Sequence, residues 1–169
     1  AGTNPATITV TVSVQDVNEF SPAFEDGETA TANVNENQQA VGTYAATDAD
    51  GSATQTYSVL TAAQNAASTD HDLFSVASGG VLTFASAPNF ESAGCGAGDD
   101  SNTCVVVIQV TDGTNTDTIT VTVAVQDVNE AAPVFSDGDS ASATPSENQQ
   151  AVGTYAATDA DGSATQTYS

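Results

Sequence analysis

Twelve of the 22 carboxylates in this 169-residue chain fall into short patterns: Asp16-Val17-Asn18-Glu19, Glu36-Asn37, Asp48-Ala49-Asp50, Asn89-Phe90-Glu91 and Asp112-Gly113, with three of them repeated later. The repeats are Asp127-Val128-Asn129-Glu130, Glu147-Asn148 and Asp159-Ala160-Asp161, each 111 residues after its counterpart. The chain has no lysine and no arginine, and its formal charge is −22. No carboxylate can therefore form an ordinary salt bridge; its partners are N–H groups, hydroxyls, amides, water, the single His71 or a metal ion. Two ionised carboxylates about 4 Å apart near a protein surface repel by roughly 4 kcal/mol. Acids clustered in this way must bind a cation or take up a proton. Asp, Glu, Asn and backbone carbonyls are hard oxygen donors of the kind calcium takes, about six to eight at a time, whereas softer metals favour Cys or His.

Other chemistries find little support. Nucleic acid and anionic membrane are poor partners for such a surface. Without lysine no Lys–Asn isopeptide staple can form. No Ser/His/Asp set, Cys/His pair or Gly-rich loop before a helix is present, and the paired acids lie in repeated motifs instead of one cleft, so the chain reads as a non-enzyme. Asp70-His71-Asp72 reads as a solvent-exposed loop, and Glu25, Asp26, Glu28, Asp99, Asp100, Asp117, Asp137 and Asp139 read as solvated surface acids. No run of 18 apolar residues occurs, so no membrane insertion is expected in this window, and no signal peptide is visible.

The elements that must position these acids are strands. Thr7 to Val14 (TITVTVSV) alternates Ile and Val with Thr and Ser, and Thr118 to Val125 (TITVTVAV) repeats it. Further strands are expected at Ala32–Val34, Val41–Thr47, Gln55–Leu60, Leu73–Ala77, Val81–Ala85 and Cys104–Thr111. Turns fall at Asp26-Gly27, Asp50-Gly51, Gly79-Gly80 and Asp112-Gly113, and no stretch has a helical period. About seven short strands, each with one apolar face, point to an all-β two-sheet sandwich. Tyr44 and Tyr57 alternate with core positions and read as packing residues. Glu36 to Ser58 recurs letter for letter at Glu147 to Ser169, so the chain reads as about one and a half units of a tandem array. The expected division is 1–18, the last strand of a preceding unit; 19–129, a complete unit; and 130–169, the start of the next. Cys95 and Cys104, flanking a short polar loop, read as a local disulfide in an oxidising, exported setting; two free thiols are the alternative.

The motifs together resemble the cadherin repeat. Asp16-Val17-Asn18-Glu19-Phe20-Ser21-Pro22-Ala23-Phe24 and Asp127-Val128-Asn129-Glu130-Ala131-Ala132-Pro133-Val134-Phe135 are similar to its linker D-x-N-D-N-x-P-x-F. Glu36-Asn37 and Glu147-Asn148 match its x-E-N, and Asp48-Ala49-Asp50 and Asp159-Ala160-Asp161 its D-x-D. Pro88-Asn89-Phe90-Glu91 stands where the family has L-D-R-E, and Asp112 matches its late single aspartate. The resemblance implies a Greek-key sandwich of the cadherin/immunoglobulin-like type, with Ca2+ at each junction between repeats. Carried over residue by residue, the junction near Glu130 would use Glu36, Glu91, Asp127, the Val128 carbonyl, Asn129, Glu130, Asp159 and Asp161. The junction near Glu19 would use Asp16, Asn18, Glu19, Asp48, Asp50 and Asp112, and Glu147 would serve a third. Asn89 replaces an acid, Glu19 and Glu130 are one methylene longer than the family's Asp, and Phe20 and Ala131 replace its final Asn. Two or three ions per junction are expected. The D-V-N-E form and the missing basic residues resemble bacterial or archaeal cadherin-like repeats.

The expected function is structural and adhesive: a calcium-rigidified repeat of a long extracellular adhesin, matrix fibre or filament. Its partners would be neighbouring repeats through calcium, other copies in fibres, and a cell-surface or glycan ligand. A glycan-binding module and a metal-independent spacer are the alternatives.

Overall fold

The computed structural model describes residues 2, 4–51, 54–92, 94–95, 101–161 and 165–168. In chain order the strands are β1 (Ala23–Phe24), β2 (Thr29–Asn35), β3 (Ala40–Thr43), β4 (Ala46–Thr47), β5 (Thr56–Val59), β6 (Phe74–Val76), β7 (Val81–Phe84), β8 (Thr103–Thr111), β9 (Thr116–Gln126), β10 (Val134–Phe135) and β11 (Ala157–Thr158). One sheet has the order β2-β9-β8-β5 and the other β3-β7-β6, and the pairs β1-β4 and β10-β11 stand apart. β2 runs parallel to β9, in register from Thr29↔Thr120 to Asn35↔Gln126; the other pairings are antiparallel. The fold is an all-β sandwich.

Period-2 alternation explains the layers. Ile119, Val121, Val123 and Val125 of β9 and Val106, Ile108 and Val110 of β8 point inward and are buried, while the threonines between those of β9 point out. Phe74, Leu82 and Phe84 of the second sheet close the core from the other side. Burying each such side chain stabilises by about 1.5–3 kcal/mol. Gly80 holds φ +77°, and a Cβ there would run into the Tyr44 carbonyl, so this turn accepts only glycine. Among the described residues no helix is long and apolar enough to cross a membrane.

Two expectations fail. Residues 7–14 form no strand: Ile8, Val10, Val12 and Val14 are 70–92% exposed. Alternation supplies an apolar face, but a strand needs neighbouring strands to take its N–H and C=O groups. Val41–Thr47 is not one strand either. The chain leaves β3 at Tyr44, whose N–H donates to Gly80 O at 2.9 Å, and joins β1 as β4. One disulfide, Cys95–Cys104, ties the segment before β8 to β8 itself. Asp99 and Asp100 lie outside the described residues.

Candidate metal centre

β2 delivers Glu36 to one end of the sandwich. The Glu36 N–H donates to Gln126 O at 3.0 Å, continuing the β2–β9 ladder by one rung. Asn37 then adopts φ 62°, a left-handed conformation asparagine tolerates, and turns the chain away. The Glu36 side chain is 2% exposed. Its Oε2 accepts from Phe90 N at 2.8 Å and its Oε1 from Val128 N at 2.9 Å. A single buried carboxylate thus ties together the segment bearing Glu91 and the segment bearing Asp127 and Glu130. Charge-assisted bonds of this kind are about twice as strong as neutral ones.

Around this anchor two groups of acids converge. Oxygens of Glu36, Glu91 and Glu130 lie within 4.8 Å of one another, and so do oxygens of Glu91, Asp127 and Asp161. Glu91, exposed, belongs to both. A backbone N–H bond of its own draws its carboxyl down. Desolvation and the negative charges of Glu36, Glu130 and Asp161 outweigh it, and the net pKa is raised. Asp161 follows β11: it is 2% exposed, its Oδ2 accepts from Ala131 N at 2.7 Å, and its N–H donates to Asp159 Oδ1 at 3.1 Å. Asn37 Nδ2 donates to Glu130 Oε1 at 3.0 Å.

The same local geometry recurs near Glu19. Asp50 Oδ2 accepts from Phe20 N at 2.7 Å, and Asp50 N donates to Asp48 Oδ1 at 2.9 Å. Asp112, in the turn between β8 and β9, accepts from Thr114 N and Asn115 N at 2.6 Å each. The Asn115 N–H, chiefly, lowers the Asp112 pKa against opposing desolvation; the Thr114 N–H and the Asn115 and Asn18 amides add to the lowering. Asn115 Nδ2 also donates to Phe20 O at 2.8 Å. One terminal atom of the Asn18 amide stands 3.3 Å from Phe20 O, 3.0 Å from Asp112 Oδ2 and 3.2 Å from Asp50 Oδ2. With Nδ2 in that position the amide donates to all three. With Oδ1 there, four oxygens face one another, and only a cation among them stabilises the arrangement.

Calcium fits these residues. Among the described residues Asp48 Oδ2 is buried with no hydrogen-bond partner, and a buried anionic oxygen is costly without a positive charge beside it. The donors are all oxygens, and no lysine or arginine exists to compete for them. Of the residues expected to act, Glu36, Glu91, Asp127, Glu130 and Asp161 are brought together, as are Asn18, Asp50 and Asp112. Val128 enters through its N–H. Asp16, Glu19, Asn129 and Glu147 are exposed; Asp159 stands next to the first group through its bond with Asp161 N.

Asn115 and Asn102 escaped the sequence reading. For Asn115 the D-G-x-N turn was the available signal; for Asn102, lone in a loop, there was none. Asp117 is not a solvated surface acid: its Oδ2 accepts from Phe24 N at 2.9 Å and pins β1 to β9. Asp70 is buried and accepts from Val105 N at 2.7 Å, and His71 is only partly exposed, with Nδ1 against Ser68 O at 3.0 Å.

No family model matches the chain, and no curated protein matches it in sequence. Solved structures do. Protocadherin gammaB7 EC3-6, solved as a cis-dimer, is 22% identical with a TM-score of 0.60 and covers 92% of this chain and 39% of its own. Human protocadherin-24 EC1-2 (form II) is 23% identical with a TM-score of 0.58, covering 83% of this chain and 62% of its own. Mouse cadherin-23 EC22-24 is 21% identical with a TM-score of 0.54, covering 87% and 46%. This chain spans less than two thirds of each of these structures. At these identities the likeness concerns architecture: the β-sandwich of this chain has the fold of cadherin extracellular domains.

Proposed function

We propose that the chain is a calcium-rigidified part of a tandem array, an extracellular structural and adhesive module whose joints stiffen when calcium is held between successive sandwiches. The units are residues 1–18, 19–129 and 130–169, the outer two being parts of neighbouring repeats. The carrying observation is that Glu91 belongs to two acid groups whose members come from both sides of the linker: Glu36 and Glu91 before it, Asp127 and Glu130 within it, Asp161 after it. Those residues, with Asp159, would hold the ions near Glu130; Asn18, Asp48, Asp50, Asp112 and the Phe20 carbonyl would hold one near Glu19. Bound calcium neutralises acids that otherwise repel across the joint, so the angle between units depends on occupancy. Asn89 supports two ions at the Glu130 joint over three: its Oδ1 accepts from Ser92 N at 2.7 Å.

The test is calcium titration of the chain by calorimetry, with small-angle scattering in calcium and then in chelator. Dissociation constants near ~10⁻⁴–10⁻³ M are expected, as for other extracellular modules. Chelation should shorten the particle and open the chain near Glu130 to a glutamate-specific protease. Absence of binding at 10 mM calcium (about ten times the weakest constant expected), with unchanged scattering, would leave only a metal-independent spacer.

A further inference from the structure

The segment carrying Glu91 is held at Phe90 and Cys95, which pack on the core, and by two cross-links. Phe90, one residue before Glu91, is fixed on both sides: its N–H donates to Glu36 Oε2 at 2.8 Å, and its C=O accepts from Asn102 Nδ2 at 2.9 Å. Asn102 is itself anchored to β9, because its own carbonyl accepts from Val125 N at 2.8 Å, two residues before Asp127. The one asparagine therefore spans the two segments that supply Glu91 and Asp127. Its loop is closed by the Cys95–Cys104 disulfide and by Cys95 N donating to Ser101 O at 3.1 Å. Cys104 is fully buried in β8, opposite Val123 of β9. A cavity of about 330 Å3, lined by Pro88, Ser92, Cys95, Asn102 and Val125 among others, lies between this segment and the sandwich. Phe90 packs against the core and Cys95 belongs to it, and the cavity leaves the backbone around Ser92 to the two cross-links.

We infer that Asn102 and the Cys95–Cys104 disulfide are positioning elements for the Glu91 carboxylate, and that the redox state of this disulfide and cation binding at the Glu130 joint are thermodynamically linked. This rests on the calcium reading above. With the bond intact, Glu91 is held among Glu36, Glu130, Asp127 and Asp161, and the ordering that a cation would otherwise impose is already in place. Reduction by two electrons and two protons gives the Cys95 and Cys104 thiols and releases Cys95, and with it the segment that carries Glu91, from β8. The cation must then order that segment as it binds, and affinity falls. Linkage requires the converse: calcium must favour the disulfide over the dithiol by the same factor.

The experiment uses the full chain and calcium alone. Calcium affinity is measured for the oxidised and dithiothreitol-reduced protein, and the thiol–disulfide equilibrium is measured against glutathione in 10 mM calcium (about ten times the weakest constant expected) and in chelator. A loss of about tenfold in affinity on reduction is expected, with an equal shift of the redox equilibrium towards the disulfide in calcium. Asn102→Ala, which leaves the disulfide and the core in place, should weaken calcium binding several-fold and shrink the redox shift. That variant also decides the matter if the reduced chain unfolds. Equal affinities in both redox states, with the same glutathione midpoint in calcium and chelator, would overturn the inference. An oxidised chain that binds no calcium would instead overturn the functional reading on which it rests.

Discussion

The two proposed joints of this chain are built from largely the same letters 111 residues apart, and the chain supplies a different set of donors to each. What they share is the side of the joint formed by the D-x-D motif. Phe20 N donates to Asp50 Oδ2 and Ala131 N to Asp161 Oδ2, both at 2.7 Å, and each aspartate's N–H folds back on the acid two residues earlier. The β1–β4 pair recurs as β10–β11, and the phenol of Tyr57 that accepts from Ala46 N recurs as Tyr168 accepting from Ala157 N. The difference lies in the other donors. The joint at Glu130 has Glu36 and Glu91, while the joint at Glu19 has Asp112, Asn115 and Asn18. The D-x-D side therefore forms by local folding alone, whereas the rest must be delivered by distant strands.

The strongest way to break the comparison is Glu36→Ala. It leaves Phe90 N and Val128 N without their acceptor in a partly buried place, at about 1–3 kcal/mol for each unsatisfied group. A loss of about 3 kcal/mol in urea unfolding is expected, together with loss of calcium binding at the Glu130 joint and retention at the Glu19 joint. If both joints lose calcium, the donor sets are not separate. Asp161→Ala comes next. The core of residues 23–126 does not use this side chain, so the unfolding midpoint should hold while affinity at the Glu130 joint drops by roughly tenfold. An unchanged calorimetric isotherm would remove Asp161 from the site.

How much of this was legible in the sequence depends on how local each feature is. β8 and β9 follow from alternating Val and Ile because their neighbours are present, so an apolar face finds a core. The same alternation at Thr7–Val14 predicts a strand and forms none, because strand formation belongs to the pair and not to the segment. Glu36, Glu91 and Asp161 stood out through their spacing in motifs. Asp117 did not, because an acid at a strand end becomes structural only when another strand brings it an N–H, here that of Phe24. Asn102 lies in a loop whose only mark was its two cysteines, and its bond to Phe90 O is made by tertiary folding.

Acid should separate the two joints by sign when no metal is bound. Glu91 has its pKa raised above the ordinary 4.5, so its ionised form is disfavoured in the fold. Lowering the pH through that raised pKa protonates it and relieves repulsion at the Glu130 joint, and raising the pH restores the strain. Asp112 has its pKa lowered below the ordinary 3.8; the stability it contributes is present above that value and is lost as pH falls through the lowered one. Carboxyl carbon shifts followed by NMR in chelator should show Glu91 titrating above 4.5 and Asp112 below 3.8. The reverse order would mean that the acids near Glu130 are not in contact.

Asn115→Ala is the smallest change and the sharpest discriminator. It removes the amide that donates to Phe20 O and Asp112 Oδ2 but keeps the Thr114 and Asn115 N–H bonds to Asp112 Oδ1. The Asp112 pKa should move part of the way back towards its ordinary value, with a stability loss of about 1 kcal/mol or less. Calcium binding should weaken a few-fold at the Glu19 joint and stay unchanged at the Glu130 joint. An equal response at both joints would mean that Asn115 acts through the sandwich as a whole. A response confined to Glu19 would mean that it acts by holding the Phe20 carbonyl where a cation can reach it.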